Sequence, residues 1–159
     1  MSAVPDVKWM RQAARLALRG IATNQGGPFG AVVVRDGLVV GRGFNRVIGT
    51  NDPTAHAEVV AIRQACRKLR TFSLAGCELY SSCEPCPMCL AAIHWARLDR
   101  VWFACDRHDA ARAGFDDARF YDELDKSPAE RQLPVVQSFR EAGLPVFQAW
   151  IAKTDRTPY

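Results

Sequence analysis

The sequence lacks any apolar run near the ~18 consecutive residues that a membrane-spanning helix needs, so no membrane partner is expected. Its N-terminal stretch, MSAVPDVKWM, has no basic segment leading into an apolar one. A secretory leader is therefore not expected, and the cytoplasm is the simplest compartment. Internal repeats and low-complexity tracts are absent too. Missing as well is a dense basic run of the kind that lines a nucleic-acid groove, so no nucleic-acid partner is expected. The net charge of +4 is uneven, with 13 Lys/Arg against 7 Asp/Glu over residues 1–100 and 8 against 10 over residues 101–159. Arg11, Arg15 and Arg19 recur at helical spacing, which reads as a solvated helix face.

What is present is the composition of an ordinary globular domain, 48% apolar and 24% charged over 159 residues. One domain over residues 1–159 is the natural division. Residues 7–22 have helical periodicity, with Trp9, Ala13, Leu16, Ala17 and Ile21 as the core face. After the break NQGGPFG, two β-branched runs flank Asp36-Gly37, a favoured two-residue hairpin turn. Residues 46–53 read as loop, and Asp52-Pro53-Thr54 as the entry to a helix ending near Lys68. CELYSS is a strand, Pro85 opens a helix reaching Ala96, and RVWFAC is a strand of buried type. RHDAARAG is a short helix, residues 116–132 form short helical pieces, PVVQSF is an edge strand and PVFQAWIAKT a last helix. The order implies an α/β fold with a mixed central sheet of about five strands and helices on both faces.

The cysteines decide the chemistry. In a reducing compartment six thiols do not imply disulfides. Cys66, Cys77 and Cys105 lie in apolar segments and read as buried thiols. Cys83, Cys86 and Cys89 crowd into seven residues, a spacing for metal or redox chemistry. His56-Ala57-Glu58 and the cysteine cluster each fall at an expected helix N-terminus, where the helix dipole favours a thiolate. His56 with two thiolates leaves a zinc ion a fourth position for water; His56 with all three cysteines closes the site into a structural one. Two features favour the open site. Cys86 and Cys89 are i, i+3 on the expected helix, and Glu58 supplies a proton carrier that a structural zinc does not need. The rival reading, a redox pair at Cys83-Glu84-Pro85-Cys86, has no thioredoxin-like unit around it.

His-x-Glu followed by Pro-Cys-x-x-Cys resembles the signature of zinc-dependent base deaminases, here His56-Ala57-Glu58 and Pro85-Cys86-Pro87-Met88-Cys89. That resemblance implies a cytidine-deaminase-like three-layer α/β/α fold and one Zn2+ per chain on His56, Cys86 and Cys89. Glu58 becomes the catalytic proton carrier, and Cys83 stands outside the ligand set. Flanking segments narrow the match. GGPFGAVVV, NDPTAHAEV, CEPCPMC, AGFDD, FQAW and the terminal tyrosine are similar to the bacterial guanine deaminase family. This family resemblance implies conversion of guanine to xanthine and ammonia. It implies that Phe29 stacks on the purine, that Asn45 hydrogen-bonds the base, that Asp117 reads its donor edge and that Tyr159 closes the pocket. It also implies a homodimer in which a segment near 134–159 is swapped between subunits. His94 and His108 gain no role from it. The alternatives on the same scaffold are an aminopurine, nucleoside or triazine deaminase and a tRNA adenosine deaminase.

Overall fold

The computed structural model describes residues 4–159, which fall into two compact units, one ending at Ala118 and the other spanning Arg119–Tyr159. The first begins with α1 (Val7–Ala22), capped by Asp6, whose carboxylate accepts from the Lys8 amide. Strands β1 (Gly30–Arg35) and β2 (Leu38–Phe44) form the expected hairpin, with Asp36 and Gly37 both at positive φ, as its two-residue turn demands. A single turn, α2 (Val47–Thr50), interrupts the stretch read as loop. Then come α3 (Ala57–Leu69), β3 (Cys77–Cys83), α4 (Pro87–Trp95), β4 (Arg100–Cys105) and α5 (Arg107–Arg112).

The sheet runs β2-β1-β3-β4, antiparallel except for the parallel β3–β4 pair. Strand alternation splits the core into two layers. Ala31, Val33, Val40 and Leu79 face α3 and α4, meeting Ala57, Ala61, Ala65 and Ile93. Val32, Val34, Val39 and Tyr80 face the other way, toward Trp9, Met10 and Leu16 of α1. The three-layer α/β/α arrangement is thus built by the period of two in VVV. Close approach of α3 depends on Gly43, where a Cβ would lie 2.1 Å from the Ala57 carbonyl oxygen.

Several sequence expectations need correction. The sheet has four strands among the described residues; residues 134–139, read as a fifth, carry no strand. An extended segment becomes a strand only when a neighbour completes its hydrogen bonds, and Pro134 offers no N–H. RVWFAC is not of buried type. It forms the terminal strand, and Phe103, Ala104 and Cys105 are exposed because α1 and α3 lie mainly over β1 and β2. Of the thiols read as buried, Cys77 is buried, Cys66 is half-buried and Cys105 is exposed. Ile21, in the last turn of α1, is exposed as well. Two helices start later than read: α3 at Ala57 and α4 at Pro87.

The second unit comprises α6 (Ala118–Asp125, shared with the boundary), a 3-10 turn at Pro128–Glu130 and α7 (Arg140–Ala152). The last helix is longer than PVFQAWIAKT suggests. It continues N-terminally past Pro145, which lies inside the helix and lacks the N–H that would meet the Glu141 carbonyl.

Candidate active site

Both late helix starts have one consequence. His56 and Cys86 become N-cap residues, with extended backbone (ψ 155° and 167°) and no side-chain capping bond. A normal cap would spend its side chain on the helix's own amides; these two leave the imidazole and the sulfur free to turn toward a common point. Pro87 at the first helical position fixes the start of α4, and Cys89 then sits one turn along. Glu58 lies in the first turn of α3, where the dipole suits an acid.

The ligand atoms of His56, Cys86 and Cys89 lie within 4.8 Å of one another. His56 Nδ1 is 3.6 Å from Cys86 Sγ and 3.5 Å from Cys89 Sγ. A tetrahedral zinc with ordinary Zn–N and Zn–S bond lengths places such atoms about 3.6 Å apart. One imidazole and two sulfurs in that geometry fit zinc and leave a fourth position, the donor set of an open site.

The electrostatics agree. Hydrogen bonding from the Cys89 thiol, with help from His56 and the Cys89 amide, outweighs burial and draws Cys86 down to about 4. Cys89 is pushed up because it keeps the proton it shares with Cys86, and burial adds to this. His56 is raised by its hydrogen bond to Cys86, against the effect of burial. One thiolate therefore stands ready, and metal binding would displace the second proton. Cys83 is different. Its thiol donates to the Asp106 carbonyl at 3.5 Å, and burial pushes it up to about 12. It belongs to the strand end, outside the ligand cluster.

Glu58 is buried, with Oε2 3.4 Å from Cys89 Sγ and Oε1 accepting from the Ser81 hydroxyl at 3.1 Å. Burial raises its pKa from the ordinary carboxylate range. The arrangement places a buried carboxyl group against a sulfur of the candidate metal cluster.

The remaining candidates divide between the two units. Asn45 is buried, and its Oδ1 accepts from the Val47 amide at 3.1 Å, so the group left to offer a ligand is the Nδ2 donor. This close turn needs Gly26: a Cβ there would lie 2.0 Å from Asn45 Oδ1 and 2.8 Å from its carbonyl oxygen. Phe29 meets Phe115 edge to face, ring centroids 4.8 Å apart. Asp117 has a buried Oδ1 with no hydrogen-bond partner among the described residues, and burial raises its pKa. Its charge interacts with Cys86 and His56. An orphaned buried acceptor calls for a donor that the described residues do not supply. Tyr159 ends the second unit and is 72% exposed within this chain.

Sequence reasoning missed three contributors. Phe115 was in view inside AGFDD but carried no role. Gly26 was read as a helix break and within GGPFGAVVV, with no role of its own. Ser81 had a readable signal: it is the polar member of the inward-facing set Cys77, Leu79, Ser81, Cys83 on β3. Glu84 and Arg107 also form a fork, with Arg107 Nη2 2.5 Å from Glu84 Oε1 and the Arg107 amide donating to Oε2 at 3.0 Å. Arg107 thus braces the metal-ligand loop, and His108 is exposed.

An open three-ligand metal site at two helix N-termini, with a buried acid beside it, defines a hydrolytic metal centre of the deaminase type. The chain belongs to the cytidine and deoxycytidylate deaminase zinc-binding family, whose model matches residues 4–105. It is 51% identical to the guanine deaminase of Bacillus subtilis over 151 residues, covering 95% of this chain and 97% of that protein. The solved structure of a Bacillus subtilis guanine deaminase superposes with a TM-score of 0.94 at 47% identity, over 98% of this chain and 99% of that one. A guanine deaminase from Nitrosomonas europaea aligns with a TM-score of 0.67 at 34% identity, over 74% of this chain and 68% of that one. The tRNA-specific adenosine deaminase of Aquifex aeolicus is 47% identical over 77 residues, 48% of this chain and 51% of that protein.

Proposed function

We propose that the protein is a zinc-dependent aminohydrolase that converts guanine to xanthine and ammonia, with one zinc per chain on His56, Cys86 and Cys89. The observation that carries the chemistry is the buried Glu58 carboxylate 3.4 Å from a sulfur of the metal cluster. The choice of guanine over a tRNA adenosine rests on extent. Similarity to the Bacillus subtilis guanine deaminase covers 95% of the chain, whereas the Aquifex aeolicus tRNA enzyme matches 48%.

Zinc, when bound, acts as a Lewis acid that makes water a nucleophile near neutral pH. Glu58 takes a proton from the attacking water, whose oxygen bonds to C2, and delivers it to the ring nitrogen beside C2. It then takes the proton left on that oxygen and passes it to the 2-amino group, so that the C2–N bond breaks, ammonia departs and a carbonyl remains at C2. Asp117 accepts from the N1–H and 2-amino edge. Adenine presents an acceptor at N1 and would leave that carboxylate facing a lone pair. Asn45, with its oxygen engaged by Val47, donates through Nδ2 to an acceptor on the base. Phe29 stacks on the purine, its ring angle set by Phe115.

The same reading places the protein in the cytoplasm, where reducing conditions keep the thiols available. It makes the active form a homodimer, with the segment near 134–159 exchanged and Tyr159 closing the partner's pocket. The exposure of Leu133, Val136, Phe139, Val146, Phe147 and Ile151 within one chain supports this.

The test is ammonia and xanthine release from zinc-loaded protein offered guanine, guanosine, adenine, cytosine and an RNA anticodon stem-loop in parallel. Guanine alone is expected to turn over. The Glu58→Gln variant should keep its zinc and lose about 10²–10⁴ in rate. Turnover of guanosine or RNA without guanine would discard the substrate. An active Glu58→Gln enzyme would discard the mechanism.

A further inference from the structure

We propose that Ser81 is a positioning residue for the reaction, fixing which oxygen of Glu58 faces the metal cluster; this rests on the reading of Glu58 given above. Ser81 is 1% exposed and lies in mid-strand on β3, bridged to Ala31 of β1 on one side and to Phe103 of β4 on the other. Both backbone neighbours are sheet strands, so its Cβ has little freedom. The hydroxyl donates to Glu58 Oε1 at 3.1 Å. The other oxygen, Oε2, is directed to the cluster, 3.4 Å from Cys89 Sγ.

The two oxygens are therefore not equivalent. Oε1 is occupied as an acceptor by a donor mounted on a rigid strand, and the proton that Glu58 carries during turnover rides on Oε2. Without Ser81 the carboxylate loses the fixed donor at Oε1 and rotates about its terminal bond. Part of the orientation that makes the proton transfer fast is then lost. The Ser81 hydroxyl meets Glu58 and none of the residues assigned above to the purine. Its loss should lower the rate of the bound complex and leave binding alone.

The experiment uses the full-length zinc-loaded enzyme with guanine. Ser81→Ala should lower kcat by about 10–100-fold, the usual effect of removing a partner of the groups around a metal. KM and zinc content should stay within about twofold, a split that general destabilisation does not give. Ser81→Thr, which keeps the hydroxyl, should restore most of kcat. Ser81→Cys, of similar volume but a weak donor, should behave like the alanine variant and covers the case in which alanine fails to fold. If Ala and Cys variants both keep wild-type kcat while Glu58→Gln is inactive, the positioning role is overturned and the assignment of Glu58 stands. Equal loss in the Thr and Ala variants at unchanged thermal stability overturns it as well.

Discussion

The two units of the chain use similar apolar residues to opposite effect. Up to Ala110 many valines and alanines of the sheet and of α1, α3 and α4, such as Ala13, Val32, Val33, Ala61 and Ala65, vanish into two packed layers. Beyond Ala110 no described residue is buried, although PVVQSF and PVFQAWIA are as apolar as many core segments. The difference shows that apolarity by itself does not make a core. The first unit has a hairpin that buries both faces between helices. The second has helices and an extended arm with no sheet to cover. Its apolar side chains, Val136, Phe139, Val146, Phe147 and Ile151 among them, are exposed within the chain. The metal cluster belongs wholly to the first unit, and Tyr159 to the second.

The hardest blow to this contrast falls on the cluster. Cys89→Ser should abolish stoichiometric zinc and reduce guanine turnover by at least ~10³-fold, since rate and metal are lost together. Metal analysis alongside the activity assay checks it, and an active zinc-free variant would remove the metal from the account. Next is Asp117→Asn. Replacing the orphaned carboxylate with an amide turns one accepting oxygen into a donor, and kcat/KM for guanine should fall about 100-fold with zinc retained.

The third prediction has a sign that separates the two units' fates. Phe139 is 81% exposed in the chain and sits at φ 55°, a left-handed conformation that asparagine adopts far more readily than a bulky aromatic. If the arm stands alone, Phe139→Asn relieves strain and stabilises. If a partner covers the ring, the variant should lose about 2 kcal/mol per ring, roughly a 30-fold rise in the dimer dissociation constant for each. Sedimentation over a dilution series decides, and the weakened dimer is the expected result. The smallest effect belongs to Gly43→Ala. Its methyl would press on the Ala57 backbone at 2.1 Å, costing about 1–3 kcal/mol in a thermal unfolding scan. An unchanged midpoint would mean that α3 sits less tightly on the sheet than described.

Much of the site was legible because its chemistry is local. His56 with Glu58, and Cys86 with Cys89, are close in sequence, and each pair sits at a helix start that proline or polar residues announce. The hairpin was legible too, since Asp36-Gly37 and the valine runs specify it without outside help. Contacts across long separations were not. Ser81 meets Glu58 across 23 residues and Phe115 meets Phe29 across the whole first unit, and no local pattern pairs them. The exposure of β4 was misread because a run such as RVWFAC says that a strand is apolar, never what lies over it.

By itself the sequence determined the cluster of ligand-type residues, the acid beside them and the alternation that gives a sheet two buried faces. These follow from short-range backbone preferences and from chemistry written within a few residues. Only the tertiary structure decided that α3 starts at Ala57 and α4 at Pro87, which oxygen of Glu58 faces the cluster and that Asp117 is left with an unmet acceptor. Those outcomes depend on distances of a few ångströms between elements far apart in the chain, set when α3 and α4 dock side by side on one face of the sheet.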